Sequence, residues 1–265
     1  MSARTISTVA ALLTLTGCAG RTVTVVDHQP PPQQMAEWWV DPGETPRDLF
    51  WGNGGPGLAP DPHGSYQFVA KDESGFSVGY DVTDPGGTEW SVKVGPEAQA
   101  EVVVSRILWG IGFHQPPIYY LPSWTLEGAG ERQTMTDARF RPKLARLERL
   151  DEPWKWQENP FIGTRQFRGL LVVLLMLNGT DLKDDNNSVY QLPEPWDGAS
   201  RWFVVRDLGA ALGETGRFNP RRNWIEGFER EGFIRAVEGT RLEFDYDGAQ
   251  QELLSLIAPD DVRWA

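Results

Sequence analysis

Cysteine and histidine are almost missing from this chain, which has one cysteine, Cys18, and three histidines in 265 residues. No disulfide framework can brace it, and no second thiol is available for a metal or redox site. Long hydrophobic runs are also missing. The apolar run Ile6–Gly17 is too short to span a hydrocarbon core of about 30 Å. Positive charge is in deficit, with 25 Lys and Arg against 37 Asp and Glu and a formal net charge of −12. That balance argues against nucleic acid or an anionic lipid surface as the main partner. No internal repeat is present.

What is there begins with a processing signal. Arg4 precedes the run Ile6–Gly17, and Leu15-Thr16-Gly17-Cys18 closes it. This reads as a signal peptide with a lipobox over residues 1–18. The pattern resembles bacterial lipoproteins, which implies acylation of Cys18, a membrane partner through that lipid anchor, and a place in the cell envelope. Ala19 in the following position favours the outer membrane. Residues 19–62 read as a Pro/Gly-rich tether, clearest at Pro30-Pro31-Pro32-Gln33-Gln34. Trp38, Trp39, Leu49, Phe50 and Trp51 are too apolar for a free linker, so this later piece is expected to lie against the domain.

The remaining residues fit one domain or two small lobes. Tyr66–Lys71, Phe76–Asp84 and Glu89–Val94 are aromatic or β-branched runs separated by Ser74-Gly75 and Asp84-Pro85-Gly86-Gly87, which predicts three antiparallel strands. Pro96 stands where a first-turn proline belongs, and Glu97–Trp109 is expected to be helical up to Gly110 and Gly112. Ile118–Leu121 adds a strand. Thr164–Leu177 predicts a buried helix, apolar on every side over Leu170–Leu177. Residues 63–124 then form a β lobe with one helix. Residues 125–265 form a mainly helical lobe, with further helices over Asn223–Val237 and Ala249–Ile257 and a capped start at Pro259 that soon stops, a minimal second lobe.

The chemistry-bearing stretch is Asp181-Leu182-Lys183-Asp184-Asp185-Asn186-Asn187, followed by Asp207-Leu208-Gly209 after the apolar run Trp202–Val205. A carboxylate, a lysine two positions on, a carboxamide five positions on and a second carboxylate before a glycine are the parts of a metal-assisted phosphoryl-transfer site. Upstream, Lys93 lies on the third strand between Val92 and Val94, which point the other way and leave its ammonium free to meet phosphate. Glu97 and Glu101, one helical turn apart, can each hold that lysine, and Glu101, a full turn inside the helix, is the better placed.

On these residues the chain resembles the protein-kinase-like superfamily over about Tyr66 to Gly213, closer to its HipA-like, phosphatidylinositol-kinase-like, spore-coat and secretory-pathway branches than to ordinary Ser/Thr kinases. The resemblance implies an α+β, two-lobed kinase-like fold with a small antiparallel β lobe and a mainly helical lobe. It implies ATP or another nucleotide as ligand and Mg2+ or Mn2+ as ion, since the ligands are hard oxygens. Asp181 would accept the proton of the attacking hydroxyl and Lys183 would stabilise the transferred phosphoryl group. Lys93 and Glu101 would grip the nucleotide phosphates, with Gly75 and Gly79 as a sparse covering loop. Asn186 and Asp207 would hold the metal, with Asn187 as a one-residue-slipped rival for Asn186. The phosphoacceptor is not written in the sequence. Asn178-Gly179-Thr180 stands where such kinases have His-Arg, and Leu208 replaces phenylalanine.

Other readings compete. A kinase-like protein can bind without catalysis, and a lipoprotein faces compartments poor in ATP. Twelve tryptophans would suit a carbohydrate or cell-envelope binding surface. Gly75-Phe76-Ser77-Val78-Gly79 satisfies the nucleophile-elbow pattern, but a strand follows it where a helix is needed. The acidic loop fails as an EF-hand because Asn186 and Leu192 occupy the glycine and glutamate positions.

Overall fold

A computed structural model describes residues 29–73, 77–216 and 221–265. Cys18, the segment read as a signal peptide and Gly75 lie outside the described residues. The central unit is a closed barrel of five strands, β1 (Ser65–Asp72), β2 (Val78–Thr83), β3 (Glu89–Val94), β4 (Tyr119–Glu127) and β5 (Gln133–Pro142), in the order β1-β2-β3-β5-β4. Closure comes from parallel pairing of β1 with β4, Ser65 to Thr125 through Gln67 to Glu127.

Strand periodicity divides the barrel's residues into two faces. Trp90 and Val92 of β3 and Ala138 and Phe140 of β5 turn inward with Tyr66, Val82, Leu121, Trp124 and Leu126 to form its core. Ser91 and Lys93 alternate with them and pair across the sheet with Arg141 and Arg139. The result is an apolar interior and one polar outer face. Helix α2 (Glu97–Gly110), introduced after a short amino-terminal turn α1 (Pro32–Ala36), follows β3 directly and lies along β5.

The rest of the chain overturns the two-lobed, mainly helical expectation. The fifth barrel strand lies beyond residue 124. A three-stranded sheet of β6 (Glu148–Arg149), β7 (Asn187–Trp196) and β8 (Ala199–Val205) follows, and then a hairpin of β9 (Ile234–Glu238) and β10 (Arg241–Phe244). Among the described residues after 125 the only helix of more than two turns is α3 (Arg165–Met176); α4 (Ile225–Phe228) and α5 (Pro259–Trp264) are short. The helix expected over Asn223–Val237 stops at Phe228 because Gly232 and β-branched Ile234 and Val237 favour strand, and Gly239 takes the left-handed backbone (φ +62°) that a two-residue hairpin turn needs. Residues 251–256 form a 3-10 helix.

Helix α3 is capped by the Thr164 hydroxyl, which accepts from the Phe167 amide at 3.1 Å, and its apolar residues sit in the second core with Trp154, Trp156 and Phe161. The arm before the barrel joins that core. Trp38 is fully buried and stacks on Phe161 at 4.9 Å, and Glu37 forms a two-point pair with Arg201. The Pro-rich piece read as tether therefore carries the turn α1 at its end. Trp90, Trp124, Trp154, Trp156 and Trp202 are buried as well, so these tryptophans build cores. No helix among the described residues is long and apolar enough to cross a membrane.

Candidate functional site

Lys93 projects from the polar face of β3 into a cluster of carboxylates. Its Nζ lies 3.2 Å from Glu97 Oε2 and 3.3 Å from Glu101 Oε2, and it also donates to Asp207 Oδ1. The α2 helix starts three residues after β3 ends, so its first two turns bring both glutamates over the same strand face. Sequence reasoning favoured Glu101 alone; the structure sets both beside the lysine. Glu97 also accepts from the Ser77 hydroxyl at 2.8 Å and pairs with Arg222.

Glu101 is the hub of a buried network. Arg139 Nε approaches it at 3.2 Å and an Arg141 terminal nitrogen at 2.9 Å. Burial alone would raise its carboxyl pKa, but the cations of Arg139, Lys93, Arg141 and Arg206 outweigh burial and hold it down to about 2. On the guanidinium groups burial itself acts downward, against their charged form. Burial, then repulsion from Arg141, pulls Arg139 down to about 10 and Arg206 down to about 9. Sequence reasoning missed these arginines. The signal for Arg139 and Arg141 is the alternation Ala138-Arg139-Phe140-Arg141, which marks a strand with one apolar and one cationic face.

Asp207 follows β8 by two residues and adopts φ +55°, a left-handed conformation that aims its carboxylate back at Lys93. Gly209 has a packing role. A Cβ there would come within 2.5 Å of Glu97 Cβ and 3.0 Å of Glu97 O, so glycine permits the close approach of this turn to the start of α2. The Asp207 turn and the glutamate helix are thus packed as one piece.

The acidic loop forms the other bank. Asn186 Nδ2 donates to Asp181 O at 2.8 Å and to Asp181 Oδ2 at 3.2 Å, which leaves its carbonyl oxygen available as a ligand. Asn187 is buried and donates to Trp154 O at 3.0 Å, a structural role that separates it from its neighbour. Lys183 is exposed and its ammonium pairs with Asp181 at 2.7 Å. The loop is pinned through Thr180, whose amide donates to Ala210 O at 3.3 Å and whose carbonyl accepts from Ala249 N at 3.0 Å.

A cavity of about 290 Å3 lies between the banks, lined among others by Lys93, Gly79, Glu101, Asp185, Asn186 and Asp207. Asp181 and Lys183 are not in its lining. Gly79 sits within β2, paired to Lys93, and not in a covering turn. No cluster of three or more His, Cys, Asp or Glu side chains suited to a metal occurs among the described residues. The oxygens of Asp207, Asn186 and Asp185 at the cavity do fit a hard divalent ion, which takes few protein ligands and keeps its waters. The hydrolase alternative finds no support, because Ser77 donates to Glu97 and His114 is buried, stacked on Trp202 at 4.8 Å and bonded to Ala36 O at 2.6 Å.

No protein-family model matches this chain, and no curated protein matches it significantly.

Proposed function

We propose that this protein is a cell-envelope lipoprotein, anchored through Cys18, that binds ATP or another nucleotide with Mg2+ or Mn2+ and transfers a phosphoryl group to a hydroxyl of an unspecified acceptor. The observation that carries this is Lys93, buried to 15 % side-chain exposure and gripped by Glu97, Glu101 and Asp207 at the wall of a cavity. A lysine held on three carboxylates is pre-positioned and carries its ammonium to one point of the cavity, where a phosphate oxygen can accept from it. The support comes from the site's residues and not from the barrel scaffold, since one chemistry recurs on unrelated folds.

Asp207 and Asn186, with Asp185 nearby, would hold the divalent ion, whose charge offsets that of the phosphates when bound. Asp181 would accept the acceptor's hydroxyl proton as the new P–O bond forms and the bond to the leaving phosphate breaks. Lys183 would turn from Asp181 toward the transferred group. One observation favours a second reading, binding without transfer: Lys183 is paired with Asp181, and neither lines the cavity.

Thermal unfolding of the full chain in detergent, with and without ATP and Mg2+ or Mn2+, tests the binding half. The melting temperature is expected to rise with ligand in the parent protein and to stay put in Asp207→Ala, because a ligand that binds only the folded state stabilises it by mass action. No shift with any nucleotide would sink the proposal.

A further inference from the structure

A second, larger cavity of about 650 Å3 adjoins the one in front of Lys93, and the two share Ser91, Arg141, Arg149 and Arg206 in their walls. It extends past Tyr190 between the barrel and the β6–β8 sheet. Its acids, half-buried Asp81 and exposed Glu89, are occupied with Lys143, at 2.9 and 3.8 Å. The three shared arginines are only partly neutralised. Arg141 pairs with Glu101 at 2.9 Å, a carboxylate it shares with Lys93 and Arg139, Arg206 donates to the Ser188 hydroxyl at 3.2 Å, and Arg149 forms no ion pair among the described residues.

The Nε atoms of Arg141 and Arg206 are buried and lack a hydrogen-bond partner among the described residues. Like charges set side by side out of water, with donors unmet, are costly inside a protein. They are more surprising in a chain whose net charge is −12. An oxyanion removes both costs, since it brings the opposite charge and accepts from guanidinium at two points. A neutral nucleobase in the same space removes neither.

We infer that the two cavities form one channel for inorganic polyphosphate, with one phosphate on Lys93 and the next ones on Arg141, Arg206 and Arg149. Resting on the phosphate-binding role proposed for Lys93, this names the ligand class for that site and supplies a donor that needs no nucleoside. In transfer the terminal phosphoanhydride P–O bond would break, the acceptor oxygen would take the phosphoryl group, its proton would pass to Asp181, and the chain would leave one phosphate shorter.

Calorimetric titration of the full chain in detergent with tripolyphosphate, orthophosphate and ATP tests this in the parent, Arg206→Gln, Arg149→Gln and Lys93→Met proteins. Arg149 is exposed, so its variant keeps the fold. Tripolyphosphate is expected to bind at least about tenfold more tightly than orthophosphate, and each arginine variant to weaken it about tenfold, the worth of one charge-assisted contact. Absence of tripolyphosphate binding, affinity no better than for orthophosphate, or indifference to both arginine variants overturns the channel. If Lys93→Met abolishes ATP binding while the arginine variants change nothing, the channel fails and the Lys93 site stands. If the arginine variants weaken tripolyphosphate and Lys93→Met does not, the arginine site stands and the role of Lys93 fails.

Discussion

The two banks of the cavity are built differently. On the barrel bank Lys93, Glu101, Arg139 and Arg141 stand on paired strands and a helix, and their side chains are between 3 and 15 % exposed. On the loop bank Asp181, Lys183, Asn186 and Asp207 stand on turns, and Lys183 and Asp207 are 65 and 44 % exposed. The first bank is held in one geometry by cross-bracing in a medium that strengthens charge interactions; on the second the Asp207 turn is packed against α2, while exposed Lys183 can rearrange at small cost. Under the proposed function the rigid bank would grip the ligand's phosphates, and the loop bank would supply the metal ligands Asn186 and Asp207 and the base Asp181.

The largest expected effect breaks the rigid bank. Glu101→Ala leaves Lys93, Arg139 and Arg141 without their shared counter-charge, and removing one partner of a buried ion pair costs about 3–5 kcal/mol. Denaturant unfolding of the variant should show that loss; a cost below about 1 kcal/mol would mean the bank is not braced as described. Gly209→Ala comes next. Its methyl would press on the Glu97 backbone, and overpacking of that kind costs about 1–3 kcal/mol. A melting temperature equal to the parent's would show that the Asp207 turn and α2 are not tightly packed.

Acid should act on the arm before it acts on the barrel bank. Burial holds the His114 imidazole down to about 4 from an ordinary value of 6.5. The unfolded chain then takes up the proton first, and stability falls as pH drops from about 6.5 to about 4. Glu101, held down to about 2 from 4.5, contributes stability above pH 4.5 that is lost as pH falls toward 2. Unfolding free energy measured against pH in the parent and His114→Gln should differ in the upper window only. The smallest effect belongs to the loop bank, where Lys183→Ala removes an exposed pair and should change stability by less than about 0.5 kcal/mol. A loss matching that of Glu101→Ala would erase the contrast between the banks.

Local order was legible in the sequence where period and punctuation agreed. The strands through Lys93, the helix after Pro96 and the buried helix before Asn178 follow from alternation, a first-turn proline and an unbroken apolar run. The fifth strand was missed although Ala138 and Phe140 alternate with Arg139 and Arg141, because so short an alternation does not by itself mark a buried face. The hairpin at Ile234 was hidden by spacing that also fits a helix. Of the site, residue types near Asp181 and Asp207 were readable, but the network around Glu101 joins residues far apart in the chain. Only the long-range antiparallel pairing of β5 with β3 brings them together, and local patterns carry no sign of it.

The central claim is that Lys93 grips phosphate while Asp181 serves the transfer. Transfer of labelled phosphate to acceptor hydroxyls, followed in a single turnover beside ligand binding in the parent, Lys93→Met and Asp181→Ala proteins, tests it most directly. Lys93→Met should lose both binding and transfer, and Asp181→Ala should bind like the parent and transfer nothing. Transfer that survives in both variants, or a parent protein that binds no phosphorylated ligand, would contradict it.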